Sequence, residues 1–274
     1  MHSEITVRTF QQWLEELAPP ELAASWDNVG LQVGHPENRV QKVIISLDPS
    51  LSVVNEAIQF QCNLIITHHP LIFKPLNRIN LDEPVGRILQ LAILNGISVL
   101  SAHTNLDAAS GGVNDALTSL LGLNNVKSVQ EAGVSLDETV LASIVRVGYF
   151  DKSMNITELS SFLKERLRIE KVTVVSASET VQIRKVLICG GSGGAAVKLA
   201  VELDCDALIS GDIKYHDAMF AMETGLVVFD VGHFASEQVV VSKLVEFFEK
   251  KIEASDANIE ILAARSEKDP FTVM

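Results

Sequence analysis

The chain carries one pattern twice. Residues 42–67, KVIISLDPSLSVVNEAIQFQCNLIIT, align without a gap on residues 185–210, KVLICGGSGGAAVKLAVELDCDALIS, at a constant offset of 143, with seven of 26 positions identical. Lys42/Lys185, Val43/Val186 and Cys62/Cys205 are among the identities. A repeat restricts the fold more than any single motif, because each copy must form the same supersecondary unit. The correspondence continues downstream. GISVLSAH (96–103) and GLVVFDVGH (225–233) bring His103 opposite His233, and four residues on Asp107 falls opposite Glu237.

Runs such as KVIIS, LIIT and LVVFDV are continuously apolar and rich in β-branched residues, as in strands covered on both faces. They alternate with segments of helical period. The predicted order in the first copy is helix 6–17, strands 29–33 and 42–48, helix 50–61, strand 63–67, helix 84–95, strand 97–102 and helix 111–121. In the second it is helix 155–167, strands 171–177 and 185–190, helix 193–203, strand 206–210, helix 214–223, strand 225–231 and a long helix 235–254. Thr6 and Thr157 are the expected helix caps, and Gly96 and Gly225 the expected stops. VLASIVRVGYF (140–150) reads as a further strand between the copies, and NIEILAA (258–264) as a strand returning to the first domain. The expected fold is α/β, two α/β domains built from duplicated βα units, each with a mixed, mostly parallel sheet. The expected domains are 1–125, with a returning strand in 258–274, and 126–257, joined through the connector near 124–139.

Composition removes several classes of function. Of 274 residues, 47% are hydrophobic but only 5% aromatic, so Val, Ile, Leu and Ala must build the core. A net charge of −13 with no Lys/Arg run argues against a nucleic-acid groove. No apolar stretch approaches the ~18–20 residues of a membrane span, and the N-terminus lacks the apolar core of a signal peptide. Cys62, Cys189 and Cys205 form no CxxC pair and sit in or beside apolar runs, as buried free thiols of a reducing compartment do. The expected location is the cytoplasm.

The chemistry gathers at strand ends. His68 and His69 follow strand 63–67, His103 follows 97–102 and His233 follows 225–231. Ligands of α/β layers collect outside the carboxyl ends of parallel strands. Imidazole and carboxylate donors without thiolates suit a borderline or hard divalent metal, and six groups (His68, His69, His103, Asp107, His233, Glu237) exceed the needs of one ion. Two ions in an interdomain cleft are therefore expected, with Glu237, the longer carboxylate, as the bridging candidate. Such ions lower the pKa of water and polarise a carbonyl or phosphoryl oxygen. Adjacent histidines on an extended segment point opposite ways, which would send His68 and His69 to two metals or to two sides of one. His216 and Asp212, in SGDIKYHDA, are candidates for proton transfer or substrate contact.

A competing reading comes from Gly190-Gly191-Ser192-Gly193-Gly194. Residues 191–196 fit G-x-G-x-x-A, with Asp212 about 20 residues on, as in a dinucleotide-binding turn. The corresponding Asp48-Pro49-Ser50 in the first copy is not glycine-rich.

THHPLIF (67–73), SAHTNLDAASGGVND (101–115), SGDIKYHDA (210–218), GHFASE (232–237) and SWDNVGLQVG (25–34) together resemble the Nif-three-like dinuclear-metal family, whose members are often named GTP cyclohydrolase I type 2 homologues. The resemblance runs in order along nearly the whole chain. It implies a duplicated α/β fold with mixed sheets and a ring-shaped homohexamer, a trimer of dimers, with metal sites facing the interior. It also implies metal ligands at His68, His69, Asp107, His233 and Glu237, two divalent ions per chain (zinc, manganese, iron or nickel), and His103 as a neighbour rather than a ligand. The implied function is metal-dependent hydrolysis of a nucleotide-like small molecule, with no membrane partner. The alternative is a non-catalytic metal-handling or regulatory protein in the same ring.

Overall fold

The computed structural model describes residues 4–129 and 139–272, and divides into two compact units. The first comprises residues 1–110 and 240–268, the second 111–239 and 269–274. The chain thus changes unit at 110/111 and again at 239/240, where the sequence places one boundary in the 124–139 connector. Residues 130–138 of that connector lie outside the described residues.

In the first unit α1 (Val7–Leu17) precedes β1 (Gly30–Val33), β2 (Lys42–Ser46), α2 (Leu51–Gln59), β3 (Leu64–Thr67), α3 (Pro84–Leu94), β4 (Ser98–Ser101) and the short α4 (Thr104–Ala108). The second unit runs α5 (Val113–Leu120), β5 (Asn124–Ser128), α6 (Thr139–Ile144), β6 (Arg146–Met154), α7 (Ile156–Leu167), β7 (Thr173–Val175), β8 (Ile183–Ser192), α8 (Ala196–Glu202), β9 (Ala207–Gly211), α9 (Tyr215–Thr224), β10 (Val227–Asp230) and the short α10 (His233–Glu237). Then α11 (Val239–Ala254) and β11 (Glu260–Ala263) return to the first unit.

The duplication is written into the sheets. The first has the order β1-β4-β3-β2-β11, and the second, read from its β7 edge, β7-β10-β9-β8-β6-β5. In each, an antiparallel edge strand (β1 or β7) borders three parallel strands in the same order. β11 pairs parallel with β2, so the 258–264 strand does return to the first sheet. The second sheet is less parallel than the first, because β5, β6 and β7 all pair antiparallel. β5 and β6 belong to the stretch between the copies and lie outside the repeated parallel units.

Both sheets are covered on both faces. β8 sends Leu187 and Cys189 to one core, with Val197, Ala200 and Ala221, and Val186 and Ile188 to another, with Leu117, Leu159 and Leu163. In the first unit Ile44, Ile65 and Val99 pack with Val53, Val54, Ile88 and Leu89. The alternate residues Val43, Ile45, Leu64, Ile66 and Leu100 are fully buried too. This is why these strands read as continuous rather than alternating apolar runs. α11 brings Phe248 to within 5.3 Å of Phe10, between ring centroids, which places this helix with the first unit.

Two local expectations differ. The 140–150 run is helix up to Ile144 and strand from Arg146. The buried Arg146 guanidinium donates to Ser143 O, Ile144 O and Val145 O, satisfying carbonyls that end the helix. α7 is capped by Asn155, not Thr157: Asn155 Oδ1 accepts from Glu158 N–H at 2.9 Å and Glu158 Oε2 from Asn155 N–H at 2.8 Å. Thr157 lies inside the first turn of that helix.

Candidate metal centre

In the first unit the chain bends at the end of β3, and the expected opposition of His68 and His69 does not occur. Their ring centroids are 4.9 Å apart, and that of His103 lies 5.2 and 5.6 Å from them. One ligand nitrogen from each of the three rings falls within 4.8 Å of the others. His68 is fully buried, and its Nε2 lies 3.5 Å from Asp107 Oδ1. Asp107 reaches this position because α4 starts directly after His103 and raises it one turn later.

In the second unit, α10 does the same for Glu237, whose Oε2 lies 3.0 Å from His233 Nε2. Glu237 is 4% exposed, and its carboxylate fills space that Gly191 leaves open. The repeat partner of His68 is Gly211. A Cβ there would stand 2.6 Å from His233 N and 2.7 Å from Gly232 C. The backbone entering α10 passes too close for any side chain, so the second copy has no counterpart of His68.

All four imidazoles are oriented alike. His68 Nδ1 lies 2.9 Å from Ala102 O, His69 Nδ1 2.8 Å from Asp48 Oδ1, His103 Nδ1 2.9 Å from Asp27 Oδ1 and His233 Nδ1 2.8 Å from Asp212 Oδ2. A carbonyl or carboxylate oxygen accepts, so each Nδ1 carries the proton and donates. Each Nε2 lies on the opposite side of its ring, and those of His68 and His233 are 3.5 and 3.0 Å from the Asp107 and Glu237 carboxylates. Metal-ligating histidines are held by this carboxylate or carbonyl contact on the far nitrogen. The donor set, imidazole nitrogen with carboxylate oxygen, fits a divalent ion of the zinc, manganese, iron or nickel type.

Carboxylates support this arrangement from behind. The Asp27 side chain is inaccessible to solvent and also accepts from Thr104 N–H at 3.0 Å and Thr104 Oγ1–H at 2.5 Å. Burial would raise its pKa, but the hydrogen bonds from His103 and Thr104 prevail and hold it down at about 2. Asp48 is fixed from below by Glu267, which accepts from Asp48 N–H at 2.7 Å and from Leu47 N–H. Burial pushes the Glu267 carboxyl above the usual range.

The sequence candidates therefore divide. His68, His69, His103 and Asp107 meet in the first unit, and His233, Glu237 and Asp212 in the second. A cavity of about 510 Å³ in the second unit opens beside Asp212 and His233 and is also lined by Arg168, Lys171 and Phe271. His216 is exposed at the start of α9, its ring centroid 5.3 Å from that of Tyr215. Asp27 and Asp48, 76 and 21 residues from the histidines they hold, carry no sequence signal of that role. The glycine-rich run is not a phosphate turn: Gly190 to Ser192 continue β8. Gly190 N–H donates to Asn114 Oδ1 and Gly191 N–H to Ser236 Oγ, so these amides are already used.

A duplicated α/β protein with oxygen-held imidazoles after matching strands defines the class: a fold that gathers histidine and carboxylate groups that could hold a metal ion. The chain belongs to the Duf34/NIF3 (NGG1p interacting factor 3) family, whose profile matches residues 5–270. It is 36% identical over 261 residues to a GTP cyclohydrolase 1 type 2 homolog of Clostridium perfringens, covering 94% of this chain and 95% of that one. It is 32% identical over 254 residues to a protein of the same name from Methanocaldococcus jannaschii, covering 92% and 96%. Among solved structures it resembles the Bacillus cereus protein related to NIF3, with a TM-score of 0.90 at 26% identity over 99% of this chain and 100% of that one. No helix among the described residues is long and apolar enough to cross a membrane.

Proposed function

We propose that this protein holds two divalent metal ions through His68, His69, Asp107, His233 and Glu237, and that it hydrolyses a nucleotide-like small molecule of the kind the names of its relatives indicate. The observation that carries this reading is the gathering of these histidines and carboxylates within 4.8 Å of one another in groups of three, with each imidazole held at Nδ1 by an oxygen. When bound, such ions supply Lewis acidity and negative-charge stabilisation at the reacting centre.

The chain's own groups do the rest. Asp27 holds the His103 ring so that Nε2 takes up or releases the proton, the role of an oriented general acid–base histidine. Asp48 and Asp212 orient His69 and His233. His216 remains the candidate for substrate contact. The assembly we propose is a homohexamer, a trimer of dimers. The exposure of Ile79, Ile93 and Leu94 at 60%, 64% and 73% supports burial between copies.

Elemental analysis of protein purified without chelator tests the metal assignment. About two divalent ions per chain are expected, with a marked loss in the double variant His68→Ala/Glu237→Ala. Full occupancy in that variant would reject the assignment. Protein reconstituted with each of zinc, manganese, iron and nickel is then screened on GTP, other nucleotides, phosphoesters and amides. Metal-loaded protein without turnover on any of them would favour a metal-handling or regulatory role.

A further inference from the structure

Trp26 and Phe73 are 62% and 48% exposed, a costly use of large aromatic side chains in a chain with so few. They are nonetheless held in place. Their ring centroids are 5.8 Å apart in an edge-to-face pair, and each meets the His103 ring edge to face, at 6.2 and 6.0 Å. The two loops that carry them are tied together: Asn28 Nδ2 donates to Ile72 O at 2.7 Å, and Ile72 N–H donates to Gln32 Oε1 at 3.2 Å. Asp27, next to Trp26, is bonded to both His103 and Thr104.

The contribution of these rings to the core is small, since much of each remains in water. Their value lies in being preorganised beside three imidazoles. A rigid aromatic pair next to polar, proton-carrying groups is the arrangement that recognises a flat ligand with one reactive edge. Aromatic side chains hold heterocyclic bases by stacking, whatever the base, because every base has a π-face. We infer that Trp26 and Phe73 form the stacking surface for a planar heteroaromatic ring of the ligand, a nucleobase or a similar heterocycle, and set its reactive edge toward His103. The inference rests on the proposed reaction centre for the role of that edge, but ring binding itself does not require turnover.

Two tryptophans, Trp13 and Trp26, occur in the chain, so Trp13→Phe leaves Trp26 as the sole indole emitter. Zinc-loaded protein is titrated with adenosine, guanosine and ribose 5-phosphate, following Trp26 fluorescence. Saturable quenching by both nucleosides and none by ribose 5-phosphate is expected. Phe73→Ala should weaken nucleoside binding roughly ten- to a hundredfold, the range measured for loss of one stacking partner. Ligand-observed saturation-transfer NMR on the unmodified chain reads the same contact should Trp13→Phe fail to fold. Three results would overturn the inference: no nucleoside binding by metal-loaded protein, unchanged affinity in Phe73→Ala, or a Trp26 shielded from acrylamide without ligand, which would make this face a contact between copies. Metal content is measured on the same samples. Nucleoside binding without metal would reject the metal assignment and leave the stacking surface standing.

Discussion

A methyl group on Gly191 would stand 2.1 Å from Glu237 Oε1. Gly191 also has φ +68°, a conformation that costs an L side chain about 1 kcal/mol. Gly191→Ala should therefore displace the Glu237 carboxylate and lower metal content as well as stability. Gly96, with φ +64° and open space around its Cβ position, provides the control. Gly96→Ala should cost about 1 kcal/mol in urea unfolding and leave metal content unchanged. Equal metal content in the two variants would show that Glu237 does not need the Gly191 cradle.

Asp48 and Asp212 are expected to matter without touching a metal. Each accepts a 2.8 Å hydrogen bond from the Nδ1 of a proposed ligand. Asp48→Asn and Asp212→Asn should each weaken metal binding on the order of 10- to 100-fold, the usual effect of removing such an orienting group. Competition against a chelating dye measures this directly. An affinity equal to that of the unaltered protein would mean that packing alone orients the rings.

Asp27 should make the first unit acid-sensitive. Its folded pKa is about 2, against an ordinary 3.8, despite a burial effect that works in the other direction. A depressed carboxylate contributes stability that is fully present above the ordinary value and is lost as pH falls through the folded one. The window is thus about pH 4 down to about 2. A shift of this size corresponds to about 2 kcal/mol. Metal-free Asp27→Asn protein should be less stable than the parent at neutral pH, and the gap should close across that window in urea titrations. A gap independent of pH would assign the loss to packing instead.

The cysteines should be inert. Burial pushes the Cys62 and Cys205 thiols up to about 11, and alkylation requires the thiolate. Native protein should resist iodoacetamide near neutral pH, while urea-unfolded protein reacts at all three thiols. Rapid labelling of the native chain would show that these segments open.

Much of this fold was legible along the chain because its signals are local. Continuous β-branched runs marked the central strands, Gly96 and Gly225 marked helix ends, and the offset repeat paired β2, β3 and β4 with β8, β9 and β10. Edge strand β5 is mostly exposed and carries no apolar run, and β7 is short and only partly buried. The 140–150 run misled because its helical half is apolar too, and a buried arginine ends it through contacts with three carbonyls.

The sequence by itself determined the duplication, the strand ends that carry His68, His69, His103 and His233, and the carboxylate one helical turn beyond two of them. Tertiary structure alone decided what stands behind each imidazole and why the copies differ. Asp48 lies 21 residues from His69, and Asp27 lies 76 residues from His103. Neither pairing has a periodic signature, because it depends on loops brought together by the sheet. The asymmetry has a steric origin: the backbone at His233 occupies the space above Gly211, and the Glu237 carboxylate the space above Gly191. Glycines in a strand-to-helix connection resemble a phosphate turn until the atoms that need the missing side chains are in view.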